Sequence, residues 1–371
     1  MESALAPVES FEPPSRKAGE AGSVGASRFF LSKGLRYRRA ADKLKESRIN
    51  ERRLPMERVT IAEGLSFSRF VAGMLHLPDF GDTDAARAHR IEELIEMGVT
   101  TFDHADYYAD YEAEKAFGRF LASRPGLRSR IELVTKCGNI SIQNEAGETV
   151  ARRYDTSYEH ILASVEGSLK RLQTDCIDLF LLHRIDHLAD PRGIAQAFSE
   201  LRQQGKVRYF GVSNHKPSQI QLLKKYVKQD IAANQLQLSI PNSNMITNGM
   251  EVNMLTDGAA DRDGSVLDFC RLNDITIQTW SPFQYGFFEG VFLGNDKFEE
   301  LNKLLKELAE KYNTTDTAIA AAWIMRHPAG MQLVAGTMKL SRLQEICRAS
   351  EIVLTREEWY QIYLAGGHIL P

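Results

Sequence analysis

Short apolar runs and amphipathic stretches alternate along the chain from about residue 58 onward. Eight of the apolar runs have the length and residue content of buried β-strands. They cover residues 70–74, 101–103, 132–136, 177–182, 207–212, 233–238, 276–280 and 332–335. Between several of these runs, apolar residues recur at helical spacing; Ile161, Val165, Leu169 and Leu172 share one face of such a predicted helix. The pattern therefore predicts strands and helices in alternation.

A strand followed by a helix, repeated eight times, is typical of a parallel sheet with right-handed crossovers. Eight repeats in roughly 300 residues favour a closed (β/α)8 TIM barrel. Val59–Ile61, Gly64 and Phe67 precede the first strand in a pattern that predicts an N-terminal β-hairpin. An open doubly wound sheet is the alternative. No G-x-G-x-x-G motif follows the first predicted strand, which argues against a Rossmann dinucleotide site.

Residues 1–55 differ in composition from the remainder. They hold 12 Lys and Arg against 7 Asp and Glu, and the helix that residues 35–53 could form has almost no apolar stripe to bury. We expect a disordered or loosely ordered extension here, with the barrel domain spanning 56–371. A secretory signal is excluded because the segment lacks an apolar core region, and Glu2, Glu9 and Glu12 argue against a mitochondrial transit peptide. A basic tail that binds nucleic acid or a membrane surface is the alternative.

The composition excludes several classes of protein. Hydrophobic residues make up 43% of the 371 residues, which is enough for a sizeable core, and the net charge of -3 lacks the basic excess of a nucleic-acid binder. No apolar run reaches the roughly 18 residues of a membrane helix. The four cysteines form no CxxC pair, so we expect neither a disulfide scaffold nor a zinc site. The sequence thus predicts a cytoplasmic protein without metal, nucleic acid or membrane partner.

Polar residues follow the second, third and fourth predicted strands, where a barrel carries its catalytic groups. Asp103, Lys136 and His183 lie at those strand ends, and Tyr108 comes shortly after Asp103. A buried lysine requires a partner, and Asp103 is the natural one. A nearby tyrosine would release its proton more easily and could serve as a general acid. Each residue alone is more often structural, such as a helix cap or a satisfied polar group; their joint placement favours catalysis.

Seven short motifs, taken in order along the chain, together resemble those of one known protein family. They are Phe-Asp-x-Ala-x-x-Tyr at 102–108, Thr-Lys at 135–136, Asp-Leu-x-Leu-x-His at 178–183, Gly-Lys-Val-Arg-x-x-Gly-Val-Ser-Asn at 205–214, Asn-Gln at 234–235, Ser-Pro at 281–282, and a Gly…Arg segment at 336–342. From about residue 58 onward the chain resembles an aldo-keto reductase, and in detail the bacterial YdhF-like branch. It departs from the common pattern at His104, where many members have Thr, and at Ile346, where many have Asn.

The resemblance implies reduction of aldehydes or ketones to alcohols with NADPH. Tyr108 would protonate the carbonyl oxygen, Lys136 with Asp103 would lower the tyrosine pKa and stabilise developing charge, and His183 would orient the substrate. It also implies the following cofactor-binding positions: Gly73, Met74, Asp103, Ser213, Asn214, Gln235, Trp280, Ser281, Pro282, Phe283, Gly336, Thr337, Met338, Lys339 and Arg342. A lysine and an arginine in the last segment favour NADPH over NADH, because a phosphate suits Arg.

Two other functions stay open on the sequence. An NADP(H)-binding regulatory or sensing subunit would keep the fold with little turnover. A metal-dependent barrel hydrolase would use Asp103, His104 and Asp106, or His183 and His187, as ligands, although the first strand offers no ligand. The substrate expected on the first interpretation is a small carbonyl compound, and the oligomeric state cannot be read from the sequence.

Overall fold

The structure, a computed structural model, describes residues 56–81, 83–146 and 148–371. The predictions for residues 1–55 lie outside the described residues. In the described part, fourteen strands are formed: β1 (Arg58–Ala62), β2 (Leu65–Ser68), β3 (Phe70–Gly73), β4 (Thr101–Asp103), β5 (Glu132–Cys137), β6 (Asn139–Gln143), β7 (Thr149–Tyr154), β8 (Ile177–Leu182), β9 (Val207–Ser213), β10 (Ile231–Gln237), β11 (Thr276–Trp280), β12 (Gln284–Tyr285), β13 (Gly290–Val291) and β14 (Gln332–Ala335).

Helices follow or connect most of the strands. The α-helices of the described part are α1 (Asp84–Glu96), α2 (Glu112–Ala122), α3 (Tyr158–Leu172), α4 (Pro191–Gln203), α5 (Pro217–Lys224), α6 (Asn244–Met250), α7 (Val266–Leu272), α8 (Glu299–Lys311), α9 (Asp316–Met325), α10 (Leu340–Cys347) and α11 (Arg356–Ala365). Short 3-10 turns lie at Arg128–Arg130, Asp257–Ala259, Asp296–Phe298 and Arg348–Glu351.

Eight parallel strands close into a barrel in the order β10-β11-β14-β3-β4-β5-β8-β9. These are the eight strands that the sequence pattern predicts, so the predicted (β/α)8 barrel is confirmed. The bounds differ by one or two residues at most. The first barrel strand ends at Gly73, for example, and the main-chain N–H of Met74 then donates to the carbonyl of Asp103 at 2.9 Å.

The predicted N-terminal hairpin is also present, and it plugs one end of the barrel. β1 and β2 pair antiparallel, and Ile61, Leu65 and Phe67 pack against inward-facing Leu179 and Ala233. All five side chains are buried. The hairpin contacts the amino ends of the barrel strands, so the opposite rim, where the strands end, is left for chemistry.

The helices attach to the outside of the barrel through the apolar faces that the sequence pattern marks. In α3 the hydroxyl of Ser157 caps the first turn by accepting from the His160 amide, and Ile161, Val165 and Leu172 are fully buried. The main core therefore lies between the strands and the helix ring, separate from the cluster inside the barrel.

Two small antiparallel ladders were not predicted from the sequence. β6 and β7 pair directly after β5, and β12 pairs with β13 after β11. The residues of β7 are all exposed, so no alternation of apolar and polar positions marks that strand. Among the described helices, none combines the length and apolar content needed to cross a bilayer. The predicted cytoplasmic location rests on the sequence alone.

Candidate active site

Asp103, Lys136 and Tyr108 meet at the carboxyl rim of the barrel. The ammonium of Lys136 donates to Asp103 Oδ2 at 2.7 Å, to the carbonyl oxygen of His104 at 2.6 Å and to the phenol oxygen of Tyr108 at 3.3 Å. Lys136 is fully buried and Asp103 is 2% exposed. The carboxylate and the two other oxygen acceptors take the place of the water that burial removes from the ammonium.

Local backbone pairing explains why these side chains converge. Asp103 and Lys136 lie on neighbouring strands β4 and β5, with their side chains inside the barrel. Beyond the end of β4 the chain continues along β5, since the Asp106 amide donates to the Lys136 carbonyl at 2.9 Å. The chain then turns through Ala109, Asp110 and Tyr111, three consecutive residues with left-handed φ between 49° and 69°. This turn holds Tyr108 at the rim.

His183 follows β8 and faces the same point. Its amide donates to the Cys137 carbonyl at 2.9 Å, and its ring centroid lies 5.9 Å from that of Tyr108. Burial, followed by the positive charges of Lys136 and Arg184, holds the pKa of His183 well below its ordinary value. The imidazole is therefore neutral at physiological pH. Its buried Nδ1 has no hydrogen-bond partner in the part of the chain that the structure describes.

The folded chain holds the proton of Tyr108 more tightly than the sequence predicts. Burial, and then the negative charge of Asp103, raise the pKa of Tyr108 well above its ordinary value. The expectation of a lowered pKa for Tyr108 is not met, because burial and the negative charges of Asp103 and Asp106 disfavour the phenolate. The phenol consequently remains protonated at neutral pH and can donate its proton.

Four of the predicted cofactor residues form one connected polar group beside this cluster. Ser213 Oγ donates to the Gln235 carbonyl at 2.8 Å, and Asn214 Nδ2 donates to Ser213 Oγ at 2.8 Å. The indole Nε1 of Trp280 donates to Asn214 Oδ1 at 3.1 Å. Gln235 Nε2 donates to Asp103 Oδ1 at 3.0 Å, which links the group to the catalytic candidates. These residues lie at the ends of β9, β10 and β11.

The carboxyl ends of strands β3 and β14 lie next to each other on the same rim of the barrel. A Cβ on Gly73 would lie 3.3 Å from the Cα of Gly336, so these two predicted positions are adjacent. The side chains of Met74 and Met338 are buried in the main core and could reach a cofactor only through their main chains. Thr337 Oγ1 accepts from the Lys339 amide just before α10.

The remaining predicted positions occupy two places on the rim. Ser281 has a left-handed φ of 52° directly after Trp280, and Pro282 and Phe283 continue that loop. Lys339 occupies the N-cap position of α10 without a side-chain capping bond, and Arg342 lies in the first turn of that helix. Both basic side chains are exposed, and neither is paired with a carboxylate of the described residues.

Some residues near the site were not assigned a role from the sequence. Gln278 and Gln332 lie inside the barrel and extend the hydrogen-bonded group from Gln235, at 3.3 Å and then 2.9 Å. A glutamine within a strand carries no local signal of this kind, because the contact depends on strand neighbours far apart in the chain. The guanidinium of Arg184 lies 5.9 Å from the Trp280 ring, directly after His183.

The geometry also bears on the metal-hydrolase interpretation. Asp103 is committed to Lys136 and Gln235, while the buried ring of His104 packs edge-on against Phe117, with centroids 4.7 Å apart. Asp106 accepts from the Ser164 hydroxyl at 2.7 Å. Within 56–81, 83–146 and 148–371, no three His, Cys, Asp or Glu side chains are grouped as ligands of a metal ion.

Comparison with known proteins agrees with the motifs. The model of the aldo/keto reductase family matches residues 71–364. The uncharacterized oxidoreductase YcsN of Bacillus subtilis is 39% identical over 319 residues, which cover 85% of this chain and all of YcsN. The oxidoreductase YdhF of Escherichia coli is 36% identical over 85% of this chain and all of its own length. A 6-dehydroglucose reductase of Agrobacterium fabrum is 33% identical over 83% of this chain and 97% of its own.

A solved structure supports the fold independently. The crystal structure of the thermostable aldo-keto reductase Tm1743 with the inhibitor epalrestat superposes with a TM-score of 0.64. It covers 84% of this chain and all of that one at 23% identity, so the likeness bears on the fold alone. The matching family model and the three relatives, together with the clustered Asp103, Tyr108, Lys136 and His183, lead to one conclusion: the chain belongs to the aldo/keto reductase family and is an NAD(P)H-dependent oxidoreductase.

Proposed function

We propose that the protein reduces aldehydes or ketones to alcohols with NADPH, and that Tyr108 is the general acid. One observation carries this proposal: the buried ammonium of Lys136 contacts both Asp103 Oδ2 and the phenol oxygen of Tyr108. Reduction of a carbonyl group places negative charge on its oxygen. A proton donor backed by a fixed positive charge is the arrangement that such a reaction requires.

The residues present fit a nicotinamide cofactor. Gln235 Oε1 accepts no hydrogen bond from the described residues, although Gln235 is 3% exposed and its amide nitrogen is engaged. Ser213 and Asn214 complete a polar surface that suits a carboxamide, and the Trp280 ring offers a flat face beside it. When bound, the reduced nicotinamide supplies a hydride to the carbonyl carbon.

Side chains of this protein then transfer the proton and stabilise the charge that its transfer leaves. Tyr108 donates its phenolic proton to the carbonyl oxygen, and the O–H bond of the alcohol forms as that of the phenol breaks. The Lys136 ammonium, 3.3 Å from the phenol oxygen, stabilises the phenolate that results. Neutral His183 orients the carbonyl oxygen by hydrogen bonding, since its low pKa keeps it from competing as a charged acid. Water finally returns a proton to Tyr108.

The preference for NADPH rests on Lys339 and Arg342. Both cations lie at the start of α10, where unpaired main-chain N–H groups also favour an anion. We propose that they hold the 2'-phosphate that distinguishes NADPH from NADH. The two exposed cations have no carboxylate partner among the described residues, so a phosphate dianion would be the counter-charge.

The substrate class is proposed from the rim and one relative. Phe287 and Phe288 are exposed, and Phe288 stacks on Trp280 with centroids 6.0 Å apart, which extends an aromatic surface outward from the site. Because a relative is a 6-dehydroglucose reductase, the substrates to compare are sugar aldehydes, simple aliphatic and aromatic aldehydes, and ketones.

The test is NADPH oxidation in the presence of this carbonyl panel, followed by absorbance at 340 nm. Tyr108→Phe should lower kcat by about 100-fold or more while the protein still binds NADPH, because it removes one proton and little else. Tyr111→Phe is the matched control, since that phenol lies in the same turn but is 45% exposed. Tight NADPH binding with no turnover of any carbonyl, in wild type as in Tyr108→Phe, would instead support the regulatory or sensing alternative.

A further inference from the structure

Three glutamines on neighbouring strands form a ladder of amides inside the barrel. Gln235 of β10 is paired in register with Gln278 of β11, which is paired with Gln332 of β14. Gln278 and Gln332 are fully buried. Gln235 Nε2 donates to Gln278 Oε1 at 3.3 Å, Gln278 Nε2 to Gln332 Oε1 at 2.9 Å, and Gln332 Nε2 to the Ser68 carbonyl at 2.8 Å. We call this group the glutamine ladder.

Both ends of the glutamine ladder can only accept hydrogen bonds. At one end lies the Ser68 main-chain carbonyl, and at the other lies the carboxylate of Asp103, which accepts from Gln235 Nε2 at 3.0 Å. An amide has one side that donates and one that accepts. Two acceptor ends therefore fix which way every amide faces, because turning any one of them would oppose two acceptors or two donors.

This fixed polarity has a consequence at the open rim. Both protons of Gln235 Nε2 are used, one by Asp103 and one by Gln278, so the amide has no donor left to offer a ligand. Its carbonyl oxygen Oε1 accepts from no residue in the described part of the chain. Gln235 thus presents an acceptor only.

Asp103 is held by the same arrangement. Its Oδ1 accepts from Gln235 and its Oδ2 accepts from Lys136, so the carboxylate cannot rotate without losing one of two bonds. The glutamine ladder therefore connects Asp103 to the barrel interior through the fully buried side chains of Gln278 and Gln332.

We propose that Gln278 and Gln332 are positioning residues of the reductase site. They lock Gln235 so that its Oε1 accepts from the amide N–H of the nicotinamide carboxamide, and they hold Asp103 against Lys136. This inference rests on the proposed function, because it assigns the nicotinamide to the surface formed by Gln235, Ser213 and Asn214.

The test compares two ligands by isothermal titration calorimetry, without turnover. NADP+ carries a carboxamide with N–H donors, whereas its 3-acetylpyridine analogue has a methyl ketone in that position and no donor. The wild-type protein should bind the analogue about 10-fold more weakly, because Oε1 of Gln235 is then left unpaired. Failure to bind NADP+ at all would overturn the proposed function and this inference together; equal binding of both ligands would overturn only the inference.

A variant of Gln278 then tests whether the glutamine ladder is responsible for this difference in binding. Gln278→Met keeps the volume but removes the acceptor for Gln235 Nε2, so one N–H of Gln235 is freed and can donate to the carbonyl oxygen of the analogue. In Gln278→Met, the ratio of the dissociation constant for the analogue to that for NADP+ should fall from about 10-fold to about 3-fold or less. Ile277→Val, on the outward face of the same strand, should leave the wild-type ratio unchanged. A purely structural role would lower the melting temperature of Gln278→Met and leave the ratio unchanged, which would overturn the proposal.

A second measurement keeps the inference testable if Gln278→Met does not fold. In wild-type protein with 15N-labelled glutamine, the side-chain NH2 signals of Gln235, Gln278 and Gln332 should exchange with solvent at least 100-fold more slowly than those of exposed glutamines such as Gln203, because all three amides are engaged and buried. Rapid exchange at Gln278 would contradict a fixed glutamine ladder.

Discussion

Lys136 Nζ and Asp103 Oδ2 lie 2.7 Å apart, and both side chains are withdrawn from solvent at the barrel rim. A pair of this kind is strongly coupled: each charge is tolerated because the other is present. A contribution of the pair to the fold can be separated by substitution from its proposed contribution to the chemistry.

Asp103→Leu should destabilise the protein by about 3–5 kcal/mol, because it leaves the Lys136 ammonium buried without its counter-charge. The double variant Asp103→Leu with Lys136→Met should regain most of this free energy of unfolding but no activity, since apolar replacement of a buried pair is often neutral for stability. Urea unfolding and NADPH oxidation measure the two effects. Asp84→Asn, which weakens exposed ion pairs with Arg119 and Arg87, is the control and should cost about 1 kcal/mol or less. A double variant as unstable as Asp103→Leu alone would contradict the coupling.

His104 gives a prediction about pH. Burial, and then the charge of Lys136, lower the pKa of His104 to about 3, and neither ring nitrogen has a partner among the described residues. Below the ordinary value of about 6.5 the unfolded chain takes up a proton that the folded chain refuses, so stability is lost as the pH falls from 6.5 toward 3.

His104→Leu should therefore remove a slope of up to about 1.4 kcal/mol per pH unit in this window and leave stability at pH 7 unchanged or higher. Unfolding free energies measured at pH 7, 6, 5 and 4 check this. His89→Leu is the matched control, because that histidine is 74% exposed on α1 and should leave the slope intact. An unaltered slope in His104→Leu would show that the imidazole is not excluded from protonation.

The sequence predicts the barrel well because each strand is a short apolar run bounded by an amphipathic stretch. The runs at 177–182 and 276–280, for example, match β8 and β11 in full. The residues gathered at the rim follow from the same pattern, since parallel strands end on one side. Asp103, Lys136 and His183 could therefore be predicted to lie together before any distance was known.

Two features could not be predicted in this way. The glutamine ladder depends on which strands become neighbours, and Gln235 is separated from Asp103 by 132 residues. The raised pKa of Tyr108 depends on how completely the folded chain removes water and on the nearby Asp103 charge, and local sequence reports neither. Both depend on barrel closure rather than on the residues adjacent in the chain.

Gly118 sets the distance between α2 and α3. A Cβ at this position would lie 1.9 Å from the main-chain oxygen of Arg171, and that oxygen cannot move away as a flexible side chain could. Gly118→Ala should destabilise the protein by about 2 kcal/mol or more, measured by thermal or urea unfolding. Gly249→Ala, in α6 with open space around the added methyl group, should be neutral or stabilising by up to about 1 kcal/mol. Equal effects at the two glycines would contradict a close helix contact at Gly118.

Substitution of Lys339 and Arg342 tests the proposed preference for NADPH over NADH. If both hold a 2'-phosphate, Arg342→Ala should raise the KM for NADPH by about 10-fold and Lys339→Ala by somewhat less, because a bidentate guanidinium binds phosphate more strongly than a flexible ammonium. NADH lacks that phosphate, so its KM should change by less than about 2-fold. Lys303→Ala, an exposed cation on α8, controls for a general loss of positive charge. Steady-state kinetics with both cofactors decide the matter, and a parallel rise in the two KM values would place the phosphate elsewhere.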